Sequence, residues 1–459
     1  MPDWVGHPLS ALKCGLPYKK FLPLFVISAL TALSQTNGPT YRFHTNVGDM
    51  DVMLTPSVAP QTVANFLAYV NAGAYTNTIF HRSVPGFVIQ GGGYTVNNGV
   101  QIANNPSPVK IPENPSVVNE FNVSNTRGTI AMAQPANSPN GATDQWFFNL
   151  TNNGSQLDTT SNGPFAVFGH IINNAGLTIM DRIAALPVTD YSSVFGADFS
   201  ALPTSGTNFV TVYSIFPVPT LTAPGFQSAA SYAASSTTGI SPGEFLVIYG
   251  QSIGPAILST LALNNGVVST NLGGTQVLFN GAPAPMIYTS SGQISCIAPY
   301  NISDFETINV TVMYNGVASN TLVFPVQPAN PAIFTLNASG SGDGAVVRLD
   351  GSIVSAKNPA QVGDILELFG EGYGAPTSAT SLNDGQIVGT KLPVPADPTT
   401  WLLIDGTKVD TLYFGGAPSL VNGVLQVNFK VPSLAPGAHQ IQLQVGSRKS
   451  PAGVTLYTK

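Results

Sequence analysis

The sequence predicts a mainly β protein of about three domains, a strand-rich unit carrying two helices followed by two similar β-sandwiches. Three observations carry this reading. Only 8% of residues are charged while Gly (46) and Pro (37) abound, which suits strands and turns rather than helical bundles with Lys- and Glu-rich surfaces. Two stretches alone space their apolar residues as helices do, whereas short alternating runs recur along the chain. The second half also repeats itself. A hydrophobic content of 43% argues against disorder. The formal net charge of −6, with no basic run beyond Lys19-Lys20, argues against nucleic acid as a partner.

Residues 1–34 read as an export signal. Lys19-Lys20 supply a positive flank, Phe21 to Ala32 an apolar stretch, and Ala32-Leu33-Ser34 a small-residue cleavage site. The apolar run is about twelve residues, short of the roughly twenty that span a bilayer, so no stable membrane span is expected. An uncleaved anchor is the alternative, and the length of chain before Lys19 leaves open a start downstream of Met1. Of the two cysteines, Cys14 falls in this leader and Cys296 in an alternating apolar run (Ile294, Cys296, Ala298). A buried, inert thiol and no internal disulfide follow.

Residues 35–218 form the first unit. Tyr41 to Leu54 alternates as a hairpin around Val47-Gly48-Asp49. Pro60 to Ala72 is the clearest helix, with Val63, Phe66, Leu67 and Val70 on one face, Pro60 in its first turn and Gly73 at its end. Phe80 to Gly93, FHRSVPGFVIQGGG, then sets Arg82 and Gln90 among apolar residues (Val84, Phe87, Val88, Ile89) that read as strand or core. Apart from His81 these two are its only strong side-chain donors. A fixed guanidinium and an amide beside an apolar pocket suit an apolar substrate with one carbonyl to be gripped. An arginine on a solvated strand face is the bland alternative. Gly91-Gly92-Gly93 lacks the Lys and Ser/Thr of a phosphate loop and reads as a turn. Tyr94 to Phe121 is a long Asn- and Pro-rich loop, Leu177 to Leu186 a second short helix, and Phe209 to Phe216 the last strand.

Asn125 to Gln134 (NTRGTIAMAQ), Gln145 to Leu150 (QWFFNL) and Phe165 to Gly169 (FAVFG) follow FHR-x-x-PGF-x-x-QGG in that order. Together they resemble the cyclophilin family of peptidyl-prolyl cis-trans isomerases, most nearly its periplasmic bacterial branch, over Thr40 to Pro217. The resemblance implies a closed eight-stranded β-barrel with two capping helices, and an enzyme that needs no cofactor or metal. It makes Arg82 and Gln90 catalytic: the cation faces the proline nitrogen and the amide holds the flanking carbonyl, with main-chain groups near Ala133 and Gln134. Phe87 and Phe147 would line the proline pocket with Val88 and Met132 beside them. Gln145 would hold the arginine or the substrate backbone, and Leu157 and Phe165 complete the substrate-binding set. Asn119-Glu120 resembles the family's Asn-Glu pair, and His81 takes a structural place rather than that of an acid or base. The sequence also departs from the family. Val88 stands where methionine is common, Gln134 where asparagine is usual, Phe165 where a histidine aligns and Gln156 at the tryptophan wall. These changes bear on affinity for ligands such as cyclosporin-type macrocycles more than on turnover.

Pro217 to Pro224, with three prolines, reads as a semi-rigid linker. Beyond it Gly243-Glu244 to Gly250 matches Gly363-Asp364 to Gly370, the Asn280-Gly281 hairpin matches Asp405-Gly406, and Gln293 to Pro299 matches Gln426 to Pro432. Short strands joined by Asn-Gly or Asp-Gly turns point to two immunoglobulin-like sandwiches, residues 219–328 and 329–459. They resemble the IPT/TIG-like modules of secreted bacterial proteins. Gly340 to Gly344 reads as a turn, and Asp343 and Asp350 as solvated carboxylates rather than calcium ligands. His44, His170 and His439 lack ligand spacing, so no metal is expected.

The expected function is an exported isomerase acting on X-Pro bonds of extracytoplasmic polypeptides and assisting their folding. Its partners would be proline-containing chains, with a surface protein or polysaccharide held by the C-terminal modules. The competing reading is a non-catalytic protein that binds proline peptides or a cell-surface polymer through the same domains. The leader makes a first prediction, a mature N-terminus near Gln35. Mass spectrometry of protein recovered from its host reads this directly, and an intact leader in the cytoplasmic fraction would overturn it.

Overall fold

The computed structural model describes residues 38–105, 107–159 and 163–459, so the expected leader and Cys14 lie outside the described residues. The chain divides into two compact units that meet in sequence at Val218 and Pro219.

In the first unit the N-terminal hairpin comprises β1 (Thr40–Thr45) and β2 (Gly48–Leu54). Helix α1 (Pro60–Asn71) leads to β3 (Thr78–Val84) and β4 (Val88–Thr95), then to the short β5 (Val109–Lys110). Strands β6 (Thr129–Met132) and β7 (Trp146–Asn149), the single-turn helix α2 (Gly154–Leu157), β8 (Val167–Ile171) and α3 (Asn174–Ala184) follow. A small sheet of β9 (Val188–Thr189), β10 (Leu202–Ser205) and β11 (Asn208–Phe209) precedes β12 (Thr211–Val218). The large sheet runs β3-β12-β1-β2-β8-β6-β7-β4, and pairing of β3 with β4 closes it into an eight-stranded barrel with β5 appended. Closure leaves no long free edge among these eight strands.

Trp146 fills the barrel, fully buried and ringed by Phe43, Phe80 and Phe148 at centroid distances of 5.1, 5.3 and 5.7 Å, all edge to face. Truncating an indole packed on every side costs about 3–5 kcal/mol. The three glycines expected to form a turn instead lie within β4, two of them against this indole and the third against the Gln145 side chain. A Cβ on Gly91 would stand 2.9 Å from the Trp146 ring, and one on Gly92 2.8 Å from its Nε1. Both helices lay their apolar faces on the same core: Val63, Phe66 and Tyr69 from α1, Met180 and Ile183 from α3. Helix α1 has Ala59 at its N-cap and receives no cap from it. Glu120, far along the chain, supplies one by accepting from the Gln61 and Thr62 amides at 3.1 and 2.8 Å.

The proline-rich stretch read as a linker is mostly strand. Pro217 lies in β12 opposite Tyr41, where the other side of β12 has already parted from β3, which it pairs only at Thr211 and Val212. Pro224 falls in the irregularity between Leu221 and Phe226 of the strand Thr220–Ser228.

The second unit, from Pro219, contains two sandwiches. In the first, the sheet holding Phe245–Gln251 and Gln293–Ile297 faces the one holding Thr275–Phe279 and Thr307–Tyr314 across a core that includes Leu246, Ile248, Val277, Phe279 and the fully buried Cys296. In the second, Ile365–Glu371 and Leu425–Lys430 face Thr400–Ile404 and Gly437–Val445 across Leu366, Leu368, Leu402 and Leu443. The repeat has a local physical basis. Glu244 accepts from the Ser241 amide at 2.7 Å and Asp364 from the Gln361 amide at 2.9 Å, each following a glycine of positive φ. Asn280-Gly281 and Asp405-Gly406 are both left-handed, as type I′ hairpins require. Gly340 to Gly344 is less simple than a turn, because Gly342–Asp343 pairs in parallel with Val454 and Thr455. Among the described residues no helix is long and apolar enough to cross a membrane.

The two sandwiches share an apolar seam that includes Phe245, Ile297, Phe334 and Phe369. Buried within it, Glu371 accepts from Ser228 Oγ (2.7 Å) and from the Ala230 and Phe245 amides (2.9 Å each) of the preceding sandwich. Glu244, equally buried, accepts from Asn330 Nδ2 at 3.1 Å. Burial pushes Glu244 up to about 8, aided by the Glu371 charge, and Glu371 up to about 7 against its three donors. Unfolded, both titrate near 4.5. The folded state therefore binds more protons in between, so the stability these two carboxyls contribute is full below about 4.5 and is lost as pH rises to about 8. The melting midpoint of this unit should fall over that window, and Glu244→Gln should remove roughly half the slope. A pH-independent midpoint in the unsubstituted chain would overturn the assignment.

Candidate active site

The site lies where the barrel closes. β3 pairs with β4 through a bulge: Phe80 stands opposite Gly91 and Arg82 opposite Gln90, leaving His81 as the extra residue. Phe80 points into the core, and the bulge brings Arg82 level with Gln90. Register then continues the row across the barrel wall, from Gln90 to Phe147, Phe147 to Ala131 and Ala131 to Val167. Strand alternation turns Trp146, Phe148, Ile130 and Met132 inward, leaving Phe147, Ala131 and Val88 in a separate apolar cluster.

That cluster holds the residues expected to receive the proline ring. Val88, Ala131, Phe147, Leu157 and Val167 are buried in it, with Phe87, Ala133 and Phe165 half-buried at its margin. Phe147 and Phe165 meet edge to face at 5.6 Å. Arg82 Nη1 donates to Gln90 Oε1 at 3.4 Å, and Gln90 Nε2 donates to Gln145 Oε1 at 2.8 Å. Among the described residues no carboxylate pairs with Arg82. Half-burial lowers its pKa somewhat, yet a guanidinium stays charged at any working pH. The row thus ends in a cation held by a neutral amide, beside an aromatic-rich apolar cluster.

His81 is buried against Tyr94 and Phe199, at centroid distances of 5.2 and 6.3 Å. Desolvation outweighs the Asp198 charge and a hydrogen bond with Gln145, lowering its pKa to about 4, so the ring is neutral near pH 7. The strand behind Arg82 is tied down as well, the Ser83 amide donating to Ala201 O at 2.8 Å.

Most residues expected from the sequence converge here: Arg82, Phe87, Val88, Gln90, Ala133, Gln145, Phe147, Leu157 and Phe165. Met132 does not. Strand alternation places it opposite Trp146 in the barrel core, 1% exposed, so its side chain is no part of the pocket. Gln134 stands at the rim with its side chain engaged, donating to Pro164 O and accepting from Asn119 Nδ2, each at 3.2 Å. The Ala133 amide is likewise spent, on Gln145 O at 2.9 Å. Gln156 is exposed on α2. Sequence reading missed Trp146 as the body on which the row rests; the adjacent glycines of β4 were its signal. Among the described residues no group of three or more His, Cys, Asp or Glu is placed to hold a metal ion.

Comparison with known proteins follows this division of the chain. The profile of the "Cyclophilin type peptidyl-prolyl cis-trans isomerase/CLD" family matches residues 40–197, and that of the "IPT/TIG domain" matches residues 232–327. A peptidyl-prolyl cis-trans isomerase of Acinetobacter baylyi is 37% identical over 149 residues, 32% of this chain and 72% of the relative. Peptidyl-prolyl cis-trans isomerase B of Escherichia coli is 38% identical over 146 residues, 31% of this chain and 81% of its own. Isomerase A of Dickeya dadantii is 37% identical over 164 residues, covering 34% and 80%. With its barrel closed at the Arg82–Gln90 pair and these relatives matched over most of their length, the chain belongs to the cyclophilin-type peptidyl-prolyl cis-trans isomerase family.

Proposed function

We propose that this chain is an exported peptidyl-prolyl cis-trans isomerase that accelerates rotation about X-Pro bonds in extracytoplasmic polypeptides and so assists their folding. The observation that carries the reading is Arg82, a half-buried cation bonded to a neutral amide at the edge of the aromatic pocket. The barrier to be lowered is about 18–20 kcal/mol, and no covalent bond is made or broken in crossing it. As the amide twists, its nitrogen loses resonance and gains a lone pair able to accept a hydrogen bond. A fixed cation facing that nitrogen binds the twisted form better than the planar one. Gln90 orients Arg82 and faces the flanking carbonyl, and Gln145 holds Gln90 in turn. Phe147, with Phe87 and Phe165, receives the proline ring. Export rests on the N-terminal leader. The C-terminal modules serve on this reading to dock a surface protein or polysaccharide, in keeping with their polar, weakly charged sequence.

Line-shape NMR on a proline peptide with the full chain separates binding from exchange. Arg82→Ala should lower kcat/KM by a factor of about 10² to 10³ with little loss of ground-state affinity, the usual cost of one preorganised donor. Arg82→Lys should recover only part of this, because a point charge does not reproduce the planar fork. Phe147→Ala should instead raise KM. Equal loss of binding and exchange in Arg82→Ala would make the arginine a mere holder of substrate. Binding without exchange in the unsubstituted chain would leave a proline-peptide binding protein.

The pH dependence should be flat. His81 is already neutral well above pH 4 and Arg82 stays charged, so kcat/KM should hold steady between about pH 5 and 8. A sigmoidal rise or fall with a midpoint inside that range would show that a titrating group takes part.

A further inference from the structure

We propose that three buried asparagines, Asn125, Asn149 and Asn153, form a positioning network that fixes the width of the proline pocket. The inference rests on the isomerase reading only in taking that pocket as the place where the peptide binds. Asn153 Nδ2 donates to the Phe87 carbonyl at 2.8 Å and to Asn149 Oδ1 at 2.9 Å. Asn149 Nδ2 donates to Asn125 Oδ1 at 3.1 Å and to Thr129 Oγ1 at 2.9 Å. Asn125 Nδ2 donates to the Phe165 carbonyl at 3.0 Å and to Asp158 Oδ1 at 2.9 Å. Each side-chain amide has two hydrogens to give, and each gives both.

The two ends of this chain of amides are the main chains of Phe87 and Phe165, both packed at the margin of the pocket. Its side branch holds Asp158, next in sequence to the pocket residue Leu157, and the Leu157 amide itself donates to Asn153 O at 2.9 Å. Asn125 and Asn149 are fully buried and Asn153 is 3% exposed. Burying an amide is unfavourable unless its hydrogen bonds are met, so an apolar side chain would be the simpler filling for a site without such duties. Neither Arg82 nor Gln90 is among the partners. The network therefore bears on where the proline ring sits and leaves the facing cation alone. It is a positioning device, one step removed from substrate.

The test uses the full chain, a proline peptide and NMR titration, which yields the peptide dissociation constant and the cis-trans exchange rate at saturation. Asn149→Leu keeps the volume and removes the central amide. It should raise the dissociation constant about tenfold, the weight of a buried hydrogen bond left unmade, while exchange at saturation stays within about twofold. Asn153→Ala, which removes the side-chain donor to the Phe87 carbonyl and to Asn149 Oδ1, should show the same split, and it decides the matter if Asn149→Leu does not fold. Met180→Ala, a cavity in the core away from the pocket, should lower the melting temperature with no change in affinity. Unchanged affinity in a folded asparagine variant would overturn the proposal. So would an equal loss of exchange and affinity, or an equal loss of affinity in Met180→Ala. An unsubstituted chain that binds peptide without exchange defeats the isomerase reading, yet the affinity comparison still decides the network.

Discussion

The fit of one indole against two residues without side chains underlies the first unit. Trp146 occupies the barrel interior where Gly91 and Gly92 of the neighbouring strand leave room for it, and any Cβ there would collide with its ring. The same strand is one half of the seam that closes the barrel. A β4 displaced by a larger residue would shift Gln90 relative to both Arg82 and Phe147, because all three share one row of register. Core packing and the polar site are thus opposite faces of the same strands, separated by a single step of side-chain alternation. Function here is a surface property of a barrel whose interior sets the geometry.

Much of this was legible in the sequence because short motifs dictate local outcomes. Helix α1 follows from the spacing of Val63, Phe66 and its neighbours, and the paired hairpins follow from Asn-Gly and Asp-Gly dipeptides. Arg82, Gln90 and Phe147 were found because their motifs travel together, although nothing local says that they meet. What escaped was decided by partners distant in sequence. Gly91 to Gly93 look like a turn until Trp146, and at Gly93 the Gln145 side chain, are seen to need the space. Met132 sits beside pocket residues in the chain, yet pleating sends it to the other face. Pro217 and Pro224 read as a linker because proline removes a donor, and strand edges and bulges tolerate that loss. Asn125 and Asn149 fall inside quoted motifs, yet nothing local told of their burial or of their link to Asn153.

The C-terminal unit answers a different physical problem. Two sandwiches in tandem often behave as beads, but here the seam joins an apolar cluster with carboxyls that, among the described residues, have no cation paired with them. Glu371 satisfies main-chain amides of the preceding sandwich, which water would otherwise have to reach. The two modules accordingly form one compact unit.

The cap of α1 has a consequence for the order in which the chain acquires structure. Its first turn is finished by Glu120, 58 residues beyond Thr62. During synthesis these leading amides are without that acceptor until residue 120 has followed. Asn119, the adjoining residue, binds Gln134 and the Pro164 carbonyl at the pocket rim. One dipeptide therefore finishes a helix on one side and secures the mouth of the site on the other, so that a nascent barrel with a competent pocket is also one whose first helix has set.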